Sequence, residues 1–408
     1  MLIATGDLQA DTLAGRVAVV TGSGRGVGFE TARALLWLGA AVVVAEIDET
    51  TGQRAVERLR AEFPYSQLLF ARTDVGEAAE VKKLHTTVME RFGRIDILIN
   101  NATVAPLGSV LESQISDWDR SYQVNLRGPV LLAQAFLPEM IVRNSGVFMC
   151  ISSVGQAYMG PYETLKTAQV ELADTLEAEL TASNISVLTV GPGFVPTETA
   201  LKGLEFLAGR MGMTVKEMRR LVAESELSIE AAGAGVAAAA ALAERFKGLE
   251  IGAAQALAEA GIHLSSPVSS TVESDRPGLD LRQVKRQAQA VRSTLSGQAA
   301  GWQQRSFFER QWLARNFKKQ AGMPVDQWLA RLEELEKDAA RDDRQAVLSL
   351  DIPLNRLADF YTYLQQAARG YVKDPAELES QLAVVDSWRL EVLALQELLT
   401  GEAGSLPE

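Results

Sequence analysis

From residue 16 to residue 256 short apolar, β-branched runs alternate with longer amphipathic stretches, and this alternation restricts the possible folds more than any other feature. The runs cover residues 16–21, 41–45, 68–71, 95–99, 147–151 and 186–190, with a last strand expected around 250–256. Near-continuous hydrophobicity over so few residues suits strands buried on both faces, as in a parallel sheet. The stretches between them, 29–38, 50–62, 77–92, 118–141, 162–182 and 230–244, carry helical spacing. Strand–helix alternation of this kind predicts an α/β fold, a doubly wound parallel sheet with helices on both faces.

The pattern changes after residue 262. Residues 265–277 read SSPVSSTVESDRP, rich in Ser and Pro and without periodicity, which is linker chemistry. Beyond them β-branched clusters vanish, and amphipathic helices are expected at 281–295, 298–320, 325–346, 354–370 and 376–399. Pro324, Pro353 and Pro375 stand at or just before helix starts, where a missing N–H costs nothing, and Asp374 is placed to cap. Trp302, Phe307, Phe308, Trp312, Trp328, Phe360, Tyr361 and Trp388 read as bundle core. The chain therefore divides into a domain at 1–262, a linker at 263–280 and an all-α C-terminal extension at 281–408.

Composition excludes several classes of function. A net charge of −12 gives no long-range attraction for nucleic acid or for an anionic lipid surface. One cysteine, Cys150, permits no internal disulfide, and two histidines, His85 and His263, make a metal centre an unpromising basis for chemistry. Asp7 and Asp11 do not suit a leader peptide, and the alanine-rich run 236–243 is too short to cross a bilayer. The expectation is a cytoplasmic protein with no membrane, nucleic-acid or metal partner.

The first strand runs directly into Thr21-Gly22-Ser23-Gly24-Arg25-Gly26-Val27-Gly28, and a helix follows at once. Glycines there let backbone N–H groups approach a pyrophosphate, and the helix N-terminus adds partial positive charge. A glycine-rich turn alone is a weak signal; its place between strand and helix makes it a nucleotide site. Glu46 ends the second strand about 20 residues later, where a carboxylate accepts the ribose hydroxyls of an adenosine and repels a 2′-phosphate. It favours NAD over NADP, whereas Arg25 would pull the other way. Asp48 is a second candidate farther from the strand end. Asp74, after the third strand, is placed either to bond an adenine amino group or to serve as a turn or cap before Glu77.

Tyr162 and Lys166 lie four apart on one face of a predicted helix. A phenol with a pKa of about 10 is a poor base at neutral pH, and a neighbouring ammonium favours its ionised form. Tyr162 has Lys at the fourth position; Tyr158, a turn earlier, has Tyr162 there instead. Ser152 and Ser153 end the fifth strand, where a hydroxyl can orient a substrate oxygen. Asn125 is a polar amide among apolar neighbours, placed to cap a kink or to hold a water. Asn100, Asn101 and Ala102 end the fourth strand.

Taken in order, TGSGRGVG, Asp74, NNA, Asn125, ISS, YETLK and Gly191-Pro192-Gly193 with Thr197 resemble the classical short-chain dehydrogenase/reductase family over about residues 10–262. The resemblance implies a Rossmann-like sheet of about seven strands and an NAD(P)-dependent oxidoreductase interconverting an alcohol and a ketone. It implies Tyr162 as general acid/base, Lys166 as the group that depresses its pKa and binds the nicotinamide ribose, and Asn125 as holder of a relay water. It selects Ser153 over Ser152 for the substrate oxygen. Gly22, Gly24, Arg25, Gly26, Val27 and Gly28 would line the pyrophosphate, Asp74 and Val75 the adenine, and Asn101 and Ala102 the cofactor's middle. Pro192, Gly193, Val195 and Thr197 would meet the nicotinamide end. Two departures stand out: Thr103 replaces the glycine usual after NNA, and the stretch from Ser153 to Tyr162 is short. Residues 197–227, rich in Leu, Met and Phe, would cover a bulky or apolar substrate or simply pack. The helical extension would build an oligomer interface, cover the site or bind a partner. A weakly catalytic nucleotide-binding scaffold is the competing function; the full Asn125, Ser153, Tyr162 and Lys166 set favours the enzyme.

Overall fold

The first six apolar runs become buried strands because each is flanked by an amphipathic helix that covers one face of the sheet. A computed structural model describes residues 1–153, 158–264, 279–304, 317–318, 320–350, 352, 354–371 and 375–400. The strands are β1 (Val17–Thr21), β2 (Ala41–Glu46), β3 (Leu68–Arg72), β4 (Ile97–Asn100), β5 (Gly146–Ile151), β6 (Ile185–Gly191) and β7 (Glu250–Gly252). They form one parallel sheet in the order β3-β2-β1-β4-β5-β6-β7. The order reverses between β1 and β4, so the crevice of a doubly wound sheet opens beyond the C-terminal ends of those two strands. Val19, Val43, Leu98, Phe148 and Val187 are wholly or almost wholly buried in the core beneath it.

Helices α1 (Gly26–Trp37), α2 (Glu49–Glu62) and α3 (Ala78–Phe92) follow the first three strands. Two expectations fail in detail. The run 118–141 is not one helix: α4 (Ile115–Ser121) passes into a π-helical turn, Tyr122–Arg127, and then into α5 (Gly128–Arg143). Pro129 explains the break, since it has no N–H to give to the carbonyl four residues back, that of Asn125. The last strand also stops at Gly252, and Ala253–Glu259 is helical, because an alanine-rich run satisfies a helix as readily as a strand. Helix α6 (Gly160–Glu179) precedes β6, and α7 (Glu198–Arg210), α8 (Val215–Val222) and α9 (Ile229–Ala241) precede β7.

The described residues fall into two compact units, Met1–Ser265 and Ser266–Glu408. In the second, Leu281–Gln303, Val325–Ala340, Arg344–Ser349, Leu354–Tyr371 and Pro375–Thr400 are helical. The break at Arg341–Asp343, with Asp342 at φ +59°, splits the helix expected at 325–346. Trp328, Phe360 and Tyr361 are buried in its core, with Trp302 and Trp388 packed against them. The linker 265–277, Phe307, Phe308, Trp312, Pro353 and Asp374 lie outside the described residues.

Candidate active site

The glycine turn is pinned from three sides. Gly22 has φ +62°, and a Cβ on it would press on the backbone of Ala102. At Gly28 a Cβ would run into the Asn101 amide and the Gly22 carbonyl, so helix α1 approaches the β4 end as closely as it does only with glycine there. Thr21 Oγ1 donates to the Ile99 carbonyl and accepts from the Asn101 and Ala102 N–H groups at 3.1 Å each. Asn101 Nδ2 in turn donates to the Thr21 and Gly22 carbonyls, at 2.9 and 3.0 Å. Thr21 was not singled out in the sequence, although its place opening the motif was the available signal.

Glu46 reaches this turn. Its Oε2 accepts from the Gly24 N–H at 3.1 Å, while Oε1 accepts from Ile47 at 2.9 Å and Asp48 at 3.2 Å. Asp48 instead caps α2 by accepting from the Thr51 N–H at 2.7 Å, which leaves Glu46 as the carboxylate beside the glycines. Asp74 forms the turn foreseen as one of its two readings: Oδ1 accepts from the Gly76 N–H at 2.9 Å, and Oδ2 lies 3.8 Å from Arg120. Val75 is buried against Gly128.

On the opposite side, β6 ends in Pro192 and in Gly193 at φ +74°. Thr197 caps α7 by accepting from the Ala200 N–H, and its methyl group would lie 3.8 Å from a Cβ placed on Gly26. Two elements expected to hold one cofactor therefore face each other across the N-terminus of α1. Val195 is buried, so its side chain belongs to packing. A dinucleotide fits this cradle: the turn offers N–H groups at a helix N-terminus, the glycines keep it free of side chains, and a carboxylate stands at its adenosine end.

The catalytic candidates come from β5, the π-turn and α6. Ser153 faces both Tyr162 and Glu163, close enough for its hydroxyl to stabilise the ionised form of each as a hydrogen-bond donor. Burial outweighs that donor, and Glu163 adds like charge, so the Tyr162 phenol is pushed above its ordinary value. The expected depression by Lys166 is corrected here. The Lys166 amine is fully buried and donates to Gln169 Oε1 at 2.8 Å, and loss of water lowers its pKa to about 8.

Asn125 also departs from its expected task. Its Oδ1 accepts from the Thr103 hydroxyl and the Val104 N–H, at 3.0 Å each. Its Nδ2 donates to the Val104 carbonyl at 2.8 Å and to Ser121 Oγ at 2.9 Å. These four bonds exhaust the side-chain amide, which therefore holds no relay water. It fastens the π-turn to the segment after β4, and Thr103, the residue that departs from the usual glycine, supplies one of the four bonds. Glu163 and Gln169 were missed in the sequence; their places one before and three after the Tyr–Lys pair's ends gave no pattern to read.

The family model for short chain dehydrogenases matches residues 16–205. An uncharacterized oxidoreductase of Thermotoga maritima is 36% identical over 190 residues, 45% of this chain and 73% of that protein. Human dehydrogenase/reductase SDR family member 4 is 34% identical over 201 residues, 48% of this chain and 72% of that protein. Among solved structures, NAD+-bound xylitol dehydrogenase superposes with a TM-score of 0.55 at 24% identity, covering 59% of this chain and 98% of its own, a likeness of fold. The L-sorbose reductase of Gluconobacter frateurii, complexed with NADPH and L-sorbose, gives 0.53 at 26% identity, covering 59% and 96%.

Proposed function

The chain belongs to the short-chain dehydrogenase/reductase family, and we propose that within it the protein is an NAD-dependent oxidoreductase that interconverts a secondary alcohol and a ketone. The observation that carries this reading is the Ser153–Tyr162 contact at the C-terminal edge of the sheet, the edge from which the glycine turn also emerges. When bound, the dinucleotide supplies the carbon that accepts or gives hydride. Gly22, Gly24, Arg25, Gly26, Val27 and Gly28 would hold its pyrophosphate, Glu46 its adenosine ribose, Asp74 and Val75 its adenine, and Asn101 and Ala102 its middle. Pro192, Gly193, Val195 and Thr197 would border the nicotinamide, and Lys166 with Tyr162 its ribose. Ser153 orients the substrate oxygen, and Tyr162 exchanges a proton with it. Asn125 positions this machinery by fixing the π-turn. A substrate with apolar bulk suits the cover formed by α7 and α8, where Leu204, Leu207 and Met218 pack together.

Glu46 supports NAD over NADP, because a 2′-phosphate would meet its carboxylate at close range. Titration of the purified protein should give NAD binding about 10- to 100-fold tighter than NADP binding, with the gap narrowed by Glu46→Ala. Tighter NADP binding would refute the preference.

The relatives and structures above leave the second unit largely unmatched, and we assign it to self-association in a soluble, cytoplasmic homo-oligomer. Removal of residues 266–408 should lower the assembly mass in sedimentation and leave turnover within a few-fold. Loss of turnover with the assembly intact would instead mark the helices as a cover for the site.

A further inference from the structure

The mechanism leaves one titratable group in the site without a task. Glu163 follows Tyr162 on the first turn of α6, and its Oε2 is buried with no hydrogen-bond partner. Its surroundings are mixed: Lys166 on its own helix favours the carboxylate, Glu250 on β7 opposes it, Tyr162 adjoins it, and Ser153 at the end of β5 faces it. Two other routes for a proton are occupied. The Asn125 side chain spends all four of its hydrogen-bonding positions on protein partners, and the Lys166 amine is engaged by Gln169. Ser153 alone among these groups touches both the phenol and a second ionisable side chain.

Resting on the oxidoreductase reading above, we propose that Glu163 is the proton acceptor and donor behind Tyr162, reached through the Ser153 hydroxyl. In alcohol oxidation the substrate O–H proton passes to Tyr162 Oη as the phenol's own proton passes to Ser153 Oγ and the serine's to a Glu163 carboxylate oxygen. Three O–H bonds break and three form. The carbon gives up hydride with its electron pair to the dinucleotide, and a C=O bond forms. Tyrosine and serine are neutral before and after, so no free phenolate has to be made in a site whose burial disfavours one. Glu163 is only partly buried and passes the proton on to solvent. Ketone reduction runs the same chain backwards. Burial that raises the Glu163 pKa makes the carboxylate a better acceptor than an exposed one.

The test uses the full chain with Glu163→Gln, Glu163→Asp and Tyr162→Phe. The native oxidation rate should rise with pH through one ionisation, that of Glu163. Glu163→Gln should remove this limb and lower the rate about 10- to 100-fold, and Glu163→Asp should restore both in part. A second measurement needs no turnover. In cofactor-free protein the tyrosinate absorbance of Tyr162, isolated by subtracting the Tyr162→Phe chain, should titrate at lower pH in Glu163→Gln, because a neighbouring negative charge is gone. A Glu163→Gln chain that keeps the native limb and rate, beside an inactive Tyr162→Phe, overturns the relay and leaves the oxidoreductase reading standing. An active Tyr162→Phe chain overturns that reading itself.

Discussion

Tyr162→Phe lowers turnover by about 10²- to 10⁴-fold, the span ordinarily contributed by one general acid/base, and leaves NAD affinity within a few-fold. The two halves of this result separate because chain elements separate the two tasks. The glycine turn between β1 and α1, Glu46 at the end of β2 and Thr197 before α7 form the cradle without the phenol oxygen. The phenylalanine ring keeps the packing of the first turn of α6 and removes only the atom that faces Ser153. Burial holds the phenol protonated at neutral pH, which suits it to give a proton to a ketone oxygen. Steady-state rates in both directions, with dinucleotide affinity measured by fluorescence titration, check the result. A rate within a few-fold of the native chain would remove Tyr162 from the chemistry.

The sheet could be read from the sequence because buried parallel strands need apolar residues on both faces, and runs such as Ala41-Val42-Val43-Val44-Ala45 have few other uses. Its last strand was overdrawn because Ala253, Ala254 and Ala256 suit a helix as well. The π-turn was missed although Pro129 was in view, since proline at a helix start is ordinarily tolerated and the consequence depends on what the Asn125 carbonyl does next. Within the site, residue identities were legible and their pairings were not. Lys166 can reach the phenol or Gln169 from the same backbone, and the choice is made by rotamer and burial. Glu163 occupies a position that on an exposed helix would be one more solvated carboxylate. It enters the site only because α6 starts against the end of β5.

The largest effect on stability is expected from Lys166→Met, and its sign runs opposite to its effect on function. The amine titrates at about 8 in the folded chain and at its ordinary 10.5 when unfolded. Below pH 8 the folded protein carries a buried ammonium at full cost, and the difference in pKa corresponds to a burden on the order of 3 kcal/mol. The unfolded chain binds more protons between pH 8 and 10.5, so the burden shrinks as pH rises through that window and is gone above it. Methionine fills similar volume without charge, and it leaves Gln169 Oε1 without its donor, which costs back about 1–2 kcal/mol. At pH 7 the first unit of Lys166→Met should therefore resist urea better than the native chain by about 1–2 kcal/mol. Near pH 10.5 the advantage should vanish or reverse. Taking the difference between the two chains cancels every other group that titrates in this range, including the buried Cys150 thiol, which burial pushes up to about 12. Turnover should fall by at least about 100-fold, because the variant loses the amine assigned to the nicotinamide ribose and the charge that faces Glu163. A destabilised variant at pH 7, with a stability difference indifferent to pH, would mean that the amine is hydrated in solution and that its engagement with Gln169 does not describe the working protein.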